Sequence, residues 1–175
     1  MSALAVLYLV IPLPLAFVVH EAEEIITQHK WMMSHGERLK RRFPRLGFLI
    51  NHLSQIDTKA FLIAALEEFF VLLGVTIYVF IQGNYATELW VAMFMAFSIH
   101  ILIHLFQALI LRSYVPGVAT SVVLLPYLAY GIWSIGLTMD IIKVSMLSII
   151  GLLAVAINLF FSHKLGLKIS KRGKL

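Results

Sequence analysis

Between Ala60 and Phe161 the chain runs through four long apolar stretches, at about 60–81, 89–111, 117–137 and 142–161, separated by connections of only a few residues. Each stretch is close to the roughly 20 residues that an α-helix needs to cross the hydrocarbon of a bilayer. A backbone in lipid must satisfy its own hydrogen bonds, so these stretches are expected to be helices joined by tight turns. A fifth run, at about 3–27, has no basic residue before it and no small-x-small cleavage site after it, and is read as an uncleaved first span. Pro12 and Pro14 inside it are expected to kink or locally break that helix and free backbone carbonyls for neighbouring groups to satisfy. The expected fold is therefore all-α, a polytopic transmembrane helical bundle of about five spans forming one integral membrane domain over residues 1–175.

Composition agrees with that reading. Hydrophobic residues make up 61% of the chain and charged residues 13%, and a mean hydropathy of +0.92 is too high for a water-soluble fold. Five spans leave no length for a separate soluble domain. There is no cysteine, which removes disulfides, thiolate nucleophiles and thiolate metal ligands, so any metal must be held by N and O donors.

The charges are grouped. Residues 28–58 form a polar connection carrying Lys30, Arg38, Lys40, Arg41, Arg42 and Arg45 among Trp31, Met32, Met33, Phe43, Phe48 and Leu49, the pattern of an amphipathic segment lying at a membrane surface. Lys59 opens the second span, Arg112 ends the third, and Lys164, Lys168, Lys171, Arg172 and Lys174 form a basic tail at 162–175. Lys143 alone falls elsewhere. Five spans put all the others on one face, which places the amino terminus outside and the tail in the cytoplasm, with a bacterial inner membrane as the expected location. Basic and aromatic residues do not interleave on a polar surface, so nucleic acid is excluded as a partner, and membrane lipids are the expected one. Oligomeric state is not encoded in any visible pattern.

Ionisable residues inside spans are the functional signal, because each costs at least ~2.5 kcal/mol near the bilayer centre. Span one carries His20, Glu21, Glu23 and Glu24, span two carries Glu67 and Glu68, and span three carries His100, His104 and Gln107. Residues three and four apart share a helix face, so His20 faces with Glu23 and Glu24, while His100, His104 and Gln107 form one stripe. At 1.5 Å per residue, His20, Glu67 and His104 each lie roughly 10 Å inside the basic end of their spans. Three helices thus place polar groups in one layer. Several carboxylates without a buried Lys or Arg need protons or a bound cation, and the accompanying histidines favour a divalent metal. The ligand candidates are His20, Glu23, Glu24, Glu67, Glu68, His100 and His104, enough for one or two ions; zinc or iron suits them best and manganese less well. Adjacent positions point about 100° apart, so one glutamate of each pair is expected to orient a ligand rather than bind the ion. Glu24 or Glu68 is the expected catalytic base. His52 is expected at the interface, and His29, His35 and His163 in solvent.

The sequence His20-Glu21-Ala22-Glu23-Glu24, followed by a basic connection and later by Arg112-Ser113-Tyr114-Val115-Pro116-Gly117, resembles the HXXEE-domain family of membrane proteins over nearly the whole chain. The resemblance places the family signatures on His20, Glu23, Glu24, Arg112, Tyr114, Pro116 and Gly117; because that family is one of unknown function, it implies a class and no activity. Read physically, Pro116 and Gly117 make a turn, and Arg112 and Tyr114 lie at headgroup level, where with Gln107 they can contact substrate. The guanidinium can hold a phosphate or pair with Glu24. Two functions fit: a metal-dependent membrane enzyme, a hydrolase or di-metal oxidase acting on a lipid or other small hydrophobic substrate; or a protein that transports or senses metal ions or protons through the same His/Glu cluster.

Overall fold

A computed structural model describes residues 6–172. The start of the first span at Ala3 and the basic residue Lys174 lie outside the described residues. A short π-helical turn (Val6–Val10) leads into α1 (Pro12–Arg42), α2 (Gly47–Ser54), α3 (Thr58–Phe80), α4 (Ala86–Leu111), α5 (Val118–Gly136) and α6 (Ile141–Arg172), with a 3-10 turn at Pro44–Leu46. No strand occurs among the described residues. Four of the helices, α3, α4, α5 and α6, are long and apolar enough to cross a membrane. The protein is a multi-pass membrane protein of the all-α class.

The prolines act as a boundary rather than a kink. Pro12 is the first residue of α1 and Pro14 lies in its first turn, where a missing N–H removes no intrahelical bond. The change from π to α winding falls at that point. In this region the Leu9 carbonyl accepts a 2.7 Å bond from the Tyr127 hydroxyl of α5. Beyond Thr27 the helix does not stop. Residues 28–42, expected as a surface segment, prolong α1 instead, giving 31 residues and roughly 46 Å at 1.5 Å per residue, well over the ~30 Å of hydrocarbon.

This overhang is tied down at one end of the bundle. The Trp31 indole donates to Tyr114 O at 3.0 Å, and Arg42 donates to Ile110 O at 2.9 Å. The short helix α2 folds back on α1, burying Ile50 and Ile56 beside Met32, and His29 donates to Ile56 O at 3.2 Å. Asp57 caps α3 by accepting from Ala60 N at 2.8 Å, and it also accepts from the Ser170 hydroxyl near the end of α6.

Thus α6 outruns its span, and most of the tail expected at 162–175 is helix; α1, expected as a fifth span, is not among the helices apolar enough to cross. His163, Gly166 and Ser170 are buried in it. His163, expected in solvent, is 6% exposed and packs its ring against Phe61 and His52, with His52 Nε2 at 3.4 Å. The physical cause is helix continuation: the helix runs on past 161, and position 163, within its next turn, stays packed against Phe61 of α3 and His52 of α2. Elsewhere α6 approaches α4 so closely that a Cβ on Gly151 would overlap the Ala92 carbonyl, the small-residue contact common between membrane helices. The other half of the bundle is packed with Leu13, Trp90, Phe94, Phe97 and Ile101. Large apolar side chains such as Phe70, Ile110, Val123 and Ile149 are exposed around the outside, as a lipid-facing surface requires.

Candidate metal centre

The site is built where α1, α4 and the turn before α5 meet. On α1, the i, i+4 spacing puts His20 and Glu24 on the inward face; on α4 the same spacing does so for His100 and His104. His20, Glu24 and His104 are buried, and His100 is half-buried. The three imidazoles converge through the same atom. His100 Nε2 lies 3.0 Å from His20 Nε2 and 3.0 Å from His104 Nε2. The Glu24 carboxylate stands over them, 3.8 Å from His20, 3.6 Å from His100 and 3.7 Å from His104.

Hydrogen bonding among the rings cannot satisfy this arrangement. One Nε2 atom carries one proton or one lone pair, so His100 Nε2 can bond to only one of its two neighbours. The far side of the His20 ring is directional too. The Thr120 hydroxyl donates to Glu23 Oε2 at 2.6 Å, so its oxygen accepts the proton of His20 Nδ1, 3.0 Å away. That tautomer leaves the His20 Nε2 lone pair facing the cluster. His104 Nδ1 is buried beside Gly117 without a hydrogen-bond partner among the described residues, and its Nε2 faces the same space. One ligand atom from each of His20, Glu24, His100 and His104 lies within 4.8 Å of all the others. A tetrahedral ion with bonds of 2.0–2.1 Å has donor–donor edges of about 3.3 Å. Five of the six separations, 3.0 to 3.8 Å, straddle that edge, and His20 and His104 lie within 4.8 Å of each other, so the four donors surround a space that one such ion could occupy after the side chains adjust.

Glu23 faces the other way. Its carboxylate accepts from Tyr114 Oη at 2.7 Å, Thr120 N at 2.7 Å, Thr120 Oγ1 at 2.6 Å and Ala119 N at 3.3 Å. It sits on the first free N–H groups of α5, where the helix dipole favours negative charge. Partial burial, and beside it the Glu23 carboxylate, push the Tyr114 phenol above its ordinary range, which keeps the proton that this bond needs. Gly117 closes the device. Its φ of +80° is left-handed, and a Cβ there would come within 2.8 Å of His20 Cε1 and 3.1 Å of His104 Nδ1. The turn Tyr114-Val115-Pro116-Gly117 thus orients Glu23, Thr120 and His20 in series and lies directly on two of the three rings.

The other expected residues fall outside this cluster. Glu67 accepts from Asn158 Nδ2 at 2.9 Å, and Glu68 from Ser162 Oγ at 3.1 Å; these partners are four apart on one face of α6. Glu68, with Glu21, lines a cleft of about 700 Å³ onto which Glu24, His100, His104 and Gln107 also open. Apolar residues of α1, α2, α3 and α4, among them Leu39, Leu53, Phe61 and Ile103, form most of its walls. Arg112 is exposed at the left-handed end of α4, while Glu24 faces the histidines. Tyr114 is occupied by Glu23. Two contributors were missed in the sequence: Thr120, an ordinary hydroxyl on a helix without acidic, basic or histidine residues, and Glu21, set aside when the motif's face was assigned to Glu23 and Glu24.

Residues 11–131 match the family model described as protein of unknown function with HXXEE motif. The matched stretch contains all four converging residues and also Glu23, Tyr114, Gly117 and Thr120. No curated protein and no solved structure matches the chain.

Proposed function

The chain belongs to the family of proteins of unknown function with the HXXEE motif, and on that premise we propose that it is a membrane metalloenzyme that hydrolyses a hydrophobic substrate. One observation carries the reading: three imidazole Nε2 atoms and a carboxylate converge, and three of the four residues, Glu24, His100 and His104, line a largely apolar cleft. His20, His100 and His104 would hold one divalent ion, zinc or iron, with Glu24 as the fourth donor. A bound ion of this kind supplies Lewis acidity and lowers the pKa of water. Glu24, at 3.6 to 3.8 Å from the nitrogens, is placed to accept a proton from a water held beside them. It then takes the water's proton, the oxygen adds to an ester or amide carbonyl carbon, the C–O or C–N bond breaks, and Glu24 returns the proton to the leaving atom. Glu68 and Glu21 stand on the cleft as further proton carriers.

Hydrolysis at one ion is favoured over di-metal oxidation because Glu67 is engaged by Asn158 and Glu23 by Thr120, leaving one compact ligand set. An enzyme is favoured over a transporter by the packing beyond the histidines, where Phe97, Phe94, Trp90 and Leu13 fill the core and offer no relay for ions or protons. The cluster of basic residues at the end where α1, α2 and α6 overhang favours a cytoplasmic location for that end and an outside amino terminus.

Detergent-purified protein should contain one metal ion per chain and cleave a long-chain chromogenic ester. Chelation should abolish cleavage and zinc or iron should restore it, whereas His104→Ala should have neither metal nor activity. Metal-free protein under every growth and loading condition, or cleavage unaffected by chelation, would sink the reading.

A further inference from the structure

The stretch 28–58, expected to lie on the membrane surface, turns most of its apolar side chains into the cleft instead. Trp31, Met32 and Leu39 of the α1 extension and Leu49, Ile50 and Leu53 of α2 all line it. Met33 and Phe48 point outward, 69% and 86% exposed. On α1 and α2 the lining beyond Gln28 carries no charged residue. Glu24 divides the cleft unevenly along α1: Phe17, at one end of the lining, is seven residues or about 10 Å of helix away, and Leu39, toward the other, is fifteen residues or about 22 Å away. The long arm therefore runs from the converging histidines to the overhang and α2. An extended alkyl chain with bonds near 1.52 Å advances about 1.3 Å per carbon, so this arm matches roughly 17 carbons. Volume gives a second measure. With each carbon taking about the 30 Å³ of a water molecule in the liquid, the cleft of about 700 Å³ holds roughly 23 non-hydrogen atoms. That is one long chain and a few atoms more, whereas a two-chain glycerolipid exceeds it.

We infer that the cleft is a site for one linear alkyl chain of about 16–18 carbons, laid between the histidine cluster and the roof formed by the α1 extension and α2, and that the substrate is a single-chain acyl lipid whose length this arm limits. The inference rests on the hydrolase reading for setting the acyl carbonyl at the cluster, but the place, number and length of the chain rest on the lining and the volume alone.

Trp31 lines the long arm seven residues from Glu24, about 10 Å along the helix and so level with roughly the eighth carbon of a chain that starts at the cluster. Zinc-loaded full-length protein in lipid nanodiscs is titrated with long-chain methyl ketones, which keep a carbonyl but have no bond to hydrolyse. The signal is the bromine quenching that disappears in Trp31→Phe, plotted against probe mole fraction in the membrane, with zinc measured on each sample. An 18-carbon ketone brominated at carbons 8 and 9 should quench saturably and at least twice as strongly as one brominated at carbons 16 and 17; equal or non-saturating quenching overturns the inference. Unlabelled ketones of 10 to 24 carbons should compete best at about 16–18 and at least three-fold worse at 24, and an affinity still rising at 24 overturns the length limit. Leu39→Phe should move the optimum to shorter chains while Met93→Phe, at the Phe17 end, leaves it in place; the reverse pattern puts the chain on the other arm and overturns the inference, and Leu53→Phe supplies the same comparison if Leu39→Phe does not fold. A phosphatidylcholine brominated in both chains should half-saturate at a mole fraction at least ten-fold higher than the ketone, and equal binding would seat a bilayer lipid in the cleft and overturn the single-chain claim. Protein that takes up no zinc yet gives these chain results defeats the hydrolase reading and leaves the chain site standing.

Discussion

Replacing Thr120 by valine tests the support of the metal centre without touching any of its ligands. Valine keeps the shape of threonine and removes the one hydroxyl that links Glu23 to His20. Three contacts go: Thr120 Oγ1 to Glu23 at 2.6 Å, His20 Nδ1 to Thr120 Oγ1 at 3.0 Å, and the longer one from Thr120 Oγ1 to Gly117 O at 3.2 Å. Glu23 loses little, since Tyr114 and the Thr120 N–H still hold it at 2.7 Å each. His20 loses its only partner on the far side of the ring, and with it the preference for the tautomer that points a lone pair at the ion. Loss of such an outer support costs about 10- to 100-fold in metal affinity, or roughly 1.4–2.7 kcal/mol. The assay is zinc competition against a chromogenic chelator in detergent. Thr120→Ser, which keeps the hydroxyl, should bind zinc nearly as well as the wild type. Equal affinities for the valine and serine variants would refute the argument that this chain of bonds positions His20.

Four further outcomes follow from the same geometry. Gly117→Ala should cost about 1–3 kcal/mol from the left-handed backbone alone and, by pressing on His20 and His104, should lower both thermal midpoint and zinc content; a variant with unchanged metal content would contradict the placement of this turn. Zinc affinity should fall steeply as pH is lowered through the imidazole range, because protons compete for nitrogens that must be neutral to bind and binding releases them; a flat profile between pH 7 and 5.5 would exclude histidine ligation. Glu24→Gln should weaken zinc binding at least ten-fold, whereas Glu67→Gln should leave stoichiometry unchanged because Glu67 faces Asn158, and equal losses in the two would contradict the ligand assignment. A topology reporter fused after Asn84, between α3 and α4, should read as external, and a cytoplasmic signal there would reverse the orientation.

What could be read from the sequence was whatever depends on one helix at a time. Apolar length marked the spans, and i, i+4 spacing put His20 with Glu24 and His100 with His104. How each helix is rotated about its axis depends on its neighbours, so spacing could not choose between Glu23 and Glu24. The α5 N-terminus makes that choice, by capturing Glu23. The same limit applies to α3: Glu67 and Glu68 lie at the expected depth but are engaged by the Asn158–Ser162 face of α6. Helix ends were misplaced where polar residues continue a helix past the membrane, as in 28–42 and 162–172. That overhang explains why His163 is buried. Thr120 could not be singled out because a hydroxyl becomes informative only when its two partners are known.

X-ray absorption at the metal edge of zinc-loaded protein counts the donors directly. The account predicts one zinc with three imidazoles and one oxygen at about 2.0–2.1 Å, falling to two imidazoles in His104→Ala reconstituted with excess zinc. A spectrum fitted by oxygen donors with one imidazole or none would contradict it.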